Sequence, residues 1–205
     1  MKTKSRLALY LILWSFSTAI PNVARFFPAL GISTVMLGTI HGCTIQANPI
    51  SSPTSSEQGV RKVQRRDYGG AIDDFSRAID FNHNDVVAYV NRGIAHDELG
   101  DRDNAIEDYS QAIKINPSFA EAYYNRANTY NELGKLEQAI EDYNRAININ
   151  PKYAYAYANR AVTHNRLNKN QEATEDLQKA AKLFEGKGDR VNQKQVLNQI
   201  KNIKK

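Results

Sequence analysis

A block of this chain is written out again 34 residues further on, and no other feature constrains the fold as strongly. Residues 91–124, NRGIAHDELGDRDNAIEDYSQAIKINPSFAEAYY, and residues 125–158, NRANTYNELGKLEQAIEDYNRAININPKYAYAYA, agree at 18 of 34 positions. The next block opens NRAVTHNRLNKNQEATEDLQKAAKLF at 159, and one step back gives EQGVRKVQRRDYGGAIDDFSRAIDFNHNDVVAYV at 57. A fixed period of this kind belongs to stacked repeats, where each unit covers its neighbour's apolar face and needs that neighbour to fold.

The recurring residues are those that close packing demands. Gly59, Gly93, Ala127 and Ala161 hold one small position; Ala71, Ala105, Ala139 and Ala173 hold a second; Ala78, Ala112, Ala146 and Ala180 hold a third. Phe75, Tyr109, Tyr143 and Leu177 recur as the large residue expected to fill the interface between units. In period and in these positions the sequence resembles the tetratricopeptide-repeat (TPR) family over about residues 52–187. The resemblance implies an all-α fold: a right-handed superhelical solenoid of helix-turn-helix units spanning 52–85, 86–119, 120–153 and 154–187. Gly100 and Gly134 end first helices through a left-handed residue, and Asn168 can do the same. Pro117 and Pro151 follow second helices and stop them. The terminal units depart from the pattern, with Ser55 for the recurrent tyrosine (Tyr89, Tyr123, Tyr157), His83 for the first proline and Glu185 for the last. Residues 188–205 place Val196, Leu197, Ile200 and Ile203 at helical spacing, which predicts an amphipathic capping helix.

Composition narrows the function. The formal charge of +5 is unevenly spread: residues 67–142 carry 16 acids against 6 bases, and the excess of bases lies towards the two ends. That is not the uniform basic coat of a nucleic-acid binder, and no nucleic-acid partner is expected. No catalytic motif, phosphate-cradling loop or zinc pattern is present, so neither an enzyme, a cofactor, a metal nor a small-molecule substrate is expected. His96 and His164 stand two repeats apart, too far to share an ion, and read as packing residues.

Two polar patterns recur. Arg92, Arg126 and Arg160 stand beside the small contact position, and Asp74, Asp108, Asp142 and Asp176 recur on the second helices. An inward arginine needs an acceptor, so these are expected to pair across helices, the alternative being arginines that line a groove. The family resemblance further implies that the first helices line a concave groove receiving an extended peptide or a partner helix. Carried over, the partner-binding residues are Val87, Val90, Asn91 and Ile94, then Glu121, Tyr124, Asn125 and Asn128, then Tyr155, Asn159, Val162 and Arg166. Asn91, Asn125 and Asn159 form a ladder of amides suited to a peptide backbone. Some TPR proteins clamp a terminal carboxylate with Lys and Arg; the matching positions here hold Glu121, Tyr124, Tyr155 and Asn159, with no Lys. An acidic, aromatic groove suits a basic or apolar partner segment instead.

The first 45 residues read as a signal or membrane-anchor segment: a basic start, an apolar run at 7–20, an interruption around Pro21 and Pro28, and a second apolar stretch at 29–40. The lone Cys43 follows in Ile40-His41-Gly42-Cys43, which resembles a bacterial lipobox and makes Cys43 the expected lipidation site. Residues 46–56, QANPISSPTSS, read as a flexible or extended linker. The layout resembles that of bacterial TPR lipoproteins and implies a membrane-associated or extracytoplasmic scaffold. Two alternatives stay open: an uncleaved anchor, and a cytosolic adaptor whose true start is near Met36.

Overall fold

The structure, a computed structural model, describes residues 52–203, with side chains from Ser55 onward. Among the described residues are nine α-helices: α1 (Ser52–Gln64), α2 (Tyr68–Phe81), α3 (Val86–Leu99), α4 (Arg102–Ile115), α5 (Ala120–Glu132), α6 (Leu136–Ile149), α7 (Ala154–Arg166), α8 (Asn170–Gly186) and α9 (Arg190–Ile203). The expected signal or anchor segment at 1–45 with Cys43, and the expected linker as far as residue 51, lie outside the described residues. No described helix is long and apolar enough to cross a membrane.

Consecutive helices pack in pairs, and each second helix also packs on the first helix of the next unit. The first helices touch one another as well, α1 with α3, α3 with α5 and α5 with α7, whereas the second helices make no comparable contact among themselves. The repeats therefore curve around the first helices, whose shared side is the inner face.

Local chemistry sets the helix ends. The side chains of Asp67, Asp85 and Asp101 accept from the amides of Gly70, Ala88 and Asn104 and cap α2, α3 and α4. Gly100 and Gly134 stop first helices at φ 86° and 76°; Asn168 does so at 59°, and in the first repeat Arg66 takes the same place at 63°. The turns after α2, α4 and α6 rest on asparagine rather than proline. Asn82, Asn116 and Asn150 each accept, through Oδ1, the amide two residues on. That is why the first repeat keeps the turn with His83 in place of proline. The fourth repeat has neither residue, and α8 runs on to Gly186 before Gly188 turns the chain at φ 71°.

Small residues let the helices approach. The eight alanines at the second and third small positions are fully buried. A Cβ on Gly59 would lie 2.7 Å from Phe75 Cε1, and one on Gly93 would lie 2.7 Å from Tyr109 Cε1. The large residues thus press first on the small residue of their own unit, while the next unit closes each cluster from outside: Ala95 against Phe75, Ala122 against Tyr109. Burying each ring is worth roughly 1.5–3 kcal/mol over leaving it exposed.

Two sequence expectations are corrected. Residues 52–56 form the start of α1 rather than an extended linker; Pro53 stands in the first turn, where a helix has no use for its missing amide. The capping helix is α9, but its contact with α8 runs through Val196, with Ile200 and Ile203 half-buried against the same core, while Leu197 is exposed one position round the helix.

Candidate functional site

On α3, residues 87, 91, 94 and 98 recur at three- and four-residue spacing and so share one side, opposite Arg92. The same register on α5 and α7 assembles the inner face, but its twelve expected contact residues divide sharply in availability. Val87 is 53% exposed and Val162 38%. Asn91, Ile94, Glu121, Asn125 and Asn128 are half-buried. Val90 and Tyr124 are buried, Tyr124 to 2% exposure. Tyr124 is therefore floor rather than anchor: its ring packs on Tyr153 at 4.8 Å and Tyr143 at 6.1 Å between centroids.

The amide ladder is also unequal. Asn159 donates to Tyr124 Oη at 3.0 Å and to Asn128 Oδ1 at 2.8 Å, and Asn128 accepts from Tyr143 Oη at 2.6 Å. Arg166 donates to the backbone and side chain of Asn131, and Tyr155 Oη accepts from Asn192 of α9 at 3.0 Å. These residues lock the third repeat to the fourth and the fourth to its cap. The side-chain amides of Asn91 and Asn125 have no hydrogen-bond partner among the described residues, and neither does the carboxylate of Glu121. The unpartnered polar groups of the face thus lie in its middle, on α3 and α5.

Below it, Asp97 and Glu132, which the family register also places along the groove, are instead tied into a network. Asp97, on α3, accepts from Thr129 of α5 at 2.6 Å, from Tyr109 of α4 at 3.2 Å and from Arg102 at 3.1 Å; Arg102 also meets Glu132 at 2.6 Å. Burial raises the Asp97 carboxyl above the ordinary range, against the lowering effect of those donors. The available signal was Asp97 standing where the later repeats have Asn131 and Asn165, a charge kept at a position that elsewhere is neutral.

The arginines face the other way. Arg92, Arg126 and Arg160 each grip an aspartate of their own unit bidentately, Asp108, Asp142 and Asp176, and reach back to the preceding second helix at Ser76, Ser110 and Asn144. One guanidinium therefore ties three helices. The first repeat has Gln58 at this position, and Lys62 and Arg77 neutralise Asp74 instead. His164 sits beside this system with Nδ1 buried and unpartnered, and burial lowers its pKa. Among the described residues no group of three or more His, Cys, Asp or Glu side chains is arranged to hold a metal ion.

Family models described as tetratricopeptide repeat match residues 120–153 and 142–175, and one described as TPR repeat matches 98–133. The chain is a tetratricopeptide-repeat protein. The solved structures this TPR chain resembles include MamA, with a TM-score of 0.58 at 22% identity over 74% of this chain and 91% of that one. They also include a structure described as the first TPR of Spaghetti (RPAP3) bound to the HSP90 peptide SRMEEVD, with a TM-score of 0.56 at 26% identity over 60% of this chain and 98% of that one. No curated protein matches the chain in sequence. A stacked TPR array with an inner face of this kind is a protein-interaction scaffold.

Proposed function

We propose that this TPR array is a docking scaffold for an extended segment of a partner protein, basic or mixed apolar in character. The scaffold is tethered to the bacterial envelope by its N-terminal segment, where it assists assembly of a complex. The observation that carries the docking reading is the pair of unpartnered amides, Asn91 and Asn125, at matching positions of adjacent repeats beside the unpaired carboxylate of Glu121. Side-chain amides offer both donor and acceptor to a peptide backbone, and the acid selects a basic side chain near it. The peptide-bound TPR structure supports the mode of binding. The absence of lysine at the clamp positions argues for a different peptide chemistry from the acidic SRMEEVD tail.

A peptide array probed with the full-length chain tests this. Segments mixing Lys or Arg with apolar residues should bind. Asn91→Ala with Asn125→Ala should weaken them at least tenfold, about 1.4 kcal/mol, with the melting curve unchanged. Preference for SRMEEVD, or undiminished binding by the double variant, would overturn it. The tether has its own test in the native host. The wild type should take up labelled fatty acid and lose the residues before Cys43, and Cys43→Ser should do neither. Intact Met1 with no lipid on Cys43 would leave an uncleaved anchor, and a soluble product starting at Met36 would leave the cytosolic adaptor.

A further inference from the structure

A cleft of about 410 Å³ opens between α3 and α4 of the second repeat, lined by Tyr89, Arg92, His96, Glu107 and Gln111 among others. At 100° per residue it lies on the side of α3 opposite Asn91 and Ile94, away from the inner face. Its origin is legible by comparing repeats. In the third, two phenol rings flank the guanidinium of Arg126, Tyr123 at 5.9 Å and Tyr130 at 5.8 Å, and Lys135 lies 5.9 Å above Tyr130. Arg92 keeps the first ring, Tyr89 at 5.5 Å. In place of Tyr130 stands His96, and in place of Lys135 stands Asp101, whose carboxylate lies 3.2 Å from His96 Nδ1. The smaller ring is thus held towards the start of α4, and no second phenol covers Arg92. In the fourth repeat the histidine returns as His164, but Lys169 matches Asp101, and His164 Nε2 lies 3.9 Å from Asp176, the partner of Arg160. Among the described repeats only the second combines the arginine, the small ring and the acid that draws it aside.

We propose that this cleft is a docking site for one aromatic side chain, Trp or Tyr, of a partner polypeptide, seated on Arg92 as Tyr130 is seated on Arg126 in the third repeat. The guanidinium is already held in plane by Asp108 at 2.9 and 2.7 Å and by Ser76 at 3.0 Å. Binding therefore requires no reorganisation of the cation, and a ring stacked on it displaces water from a partly desolvated charge. Glu107 and Gln111, which have no partner among the described residues, supply acceptors at the rim for an indole N–H or phenol O–H, so Trp and Tyr fit better than Phe. The site is independent of the inner face and gives a partner a second point of attachment.

The test uses the isotope-labelled full-length chain, titrated with blocked tripeptides Gly-Trp-Gly and Gly-Leu-Gly while the side-chain N–H signals of Arg92 and the imidazole signals of His96 are followed by NMR. The tryptophan peptide should shift them saturably and the leucine peptide should not. His96→Tyr, which fills the cleft as the third repeat does, should abolish the response without lowering the melting temperature. The double variant Tyr130→His, Lys135→Asp should create a second saturable site at Arg126. Equal responses to both peptides, a wild-type response retained by His96→Tyr, or no new site at Arg126 would each overturn the proposal. So would a response to free tryptophan with none to the blocked peptide.

Discussion

The guanidinium of Arg126 straddles the carboxylate of Asp142, with Nε 2.7 Å from Oδ2 and Nη2 2.9 Å from Oδ1. The third donor, Nη1, reaches Ser110 of the preceding repeat, so a single planar cation joins α5 to both second helices that flank it. Arg126→Ala should destabilise the fold by about 3 kcal/mol, the lower end of the range for a buried pair, because the arginine side chain remains 19% exposed. Arg126→Lys should recover only part of this, since an ammonium cannot make the bidentate contact. Denaturant unfolding of the three proteins measures both.

Asp97 should make stability depend on pH in the direction opposite to a carboxylate whose pKa its partners lower, because burial outweighs its contact with Arg102. Its folded-state pKa lies above the unfolded value of about 3.9, chiefly through burial. The folded state therefore holds the proton more tightly, and this residue's contribution to stability increases as pH falls through the folded value towards the unfolded one. Above that window the ionised group is a net cost. Asp97→Asn, the residue type of Asn131 and Asn165, should flatten this component while keeping an acceptor for Thr129 and Tyr109. Melting curves of wild type and variant from pH 3 to pH 8 should converge towards the acid end and separate towards neutrality, with the variant no less stable there.

Arg66 occupies the left-handed position that Gly100 and Gly134 fill in the next two repeats, at φ 63°. That conformation costs a non-glycine residue about 1–2 kcal/mol, against about 0.5–1 kcal/mol of extra chain entropy lost by a glycine. Arg66→Gly should therefore stabilise the first repeat by about 0.5–1 kcal/mol, read as a raised unfolding midpoint with unchanged slope.

Gly93→Ala should cost about 1–3 kcal/mol by driving the new methyl into Tyr109, whose hydroxyl donates to Asp97. The third repeat holds Ala127 at the matching position, and there Tyr143 donates to Asn128 where Tyr109 donates to Asp97. Ile94 at the matching position offers Tyr109 no such acceptor. Adding Ile94→Asn to Gly93→Ala should recover part of the loss, a coupling that a double-mutant cycle would expose as non-additivity.

The repeat period, the order of helices, the small contact positions and the arginine–aspartate pairing were all legible from residues 57–184. Each is a nearest-neighbour requirement repeated every 34 positions, and repetition separates a packing constraint from chance. What varies between repeats was not legible. Tyr124, Asn159, Tyr155 and Arg166 all stand in the register of the inner face, yet tertiary packing spends them on neighbouring repeats and on α9. That leaves Asn91, Asn125 and Glu121 open. The cleft beside Arg92 and the Asp97 network likewise depend on which ring or acceptor faces which across three helices, a choice made by side-chain direction and not by spacing. A periodic sequence determines the scaffold because its contacts are local and repeated; its sites arise where the period is broken, and only the packed structure shows which breaks meet.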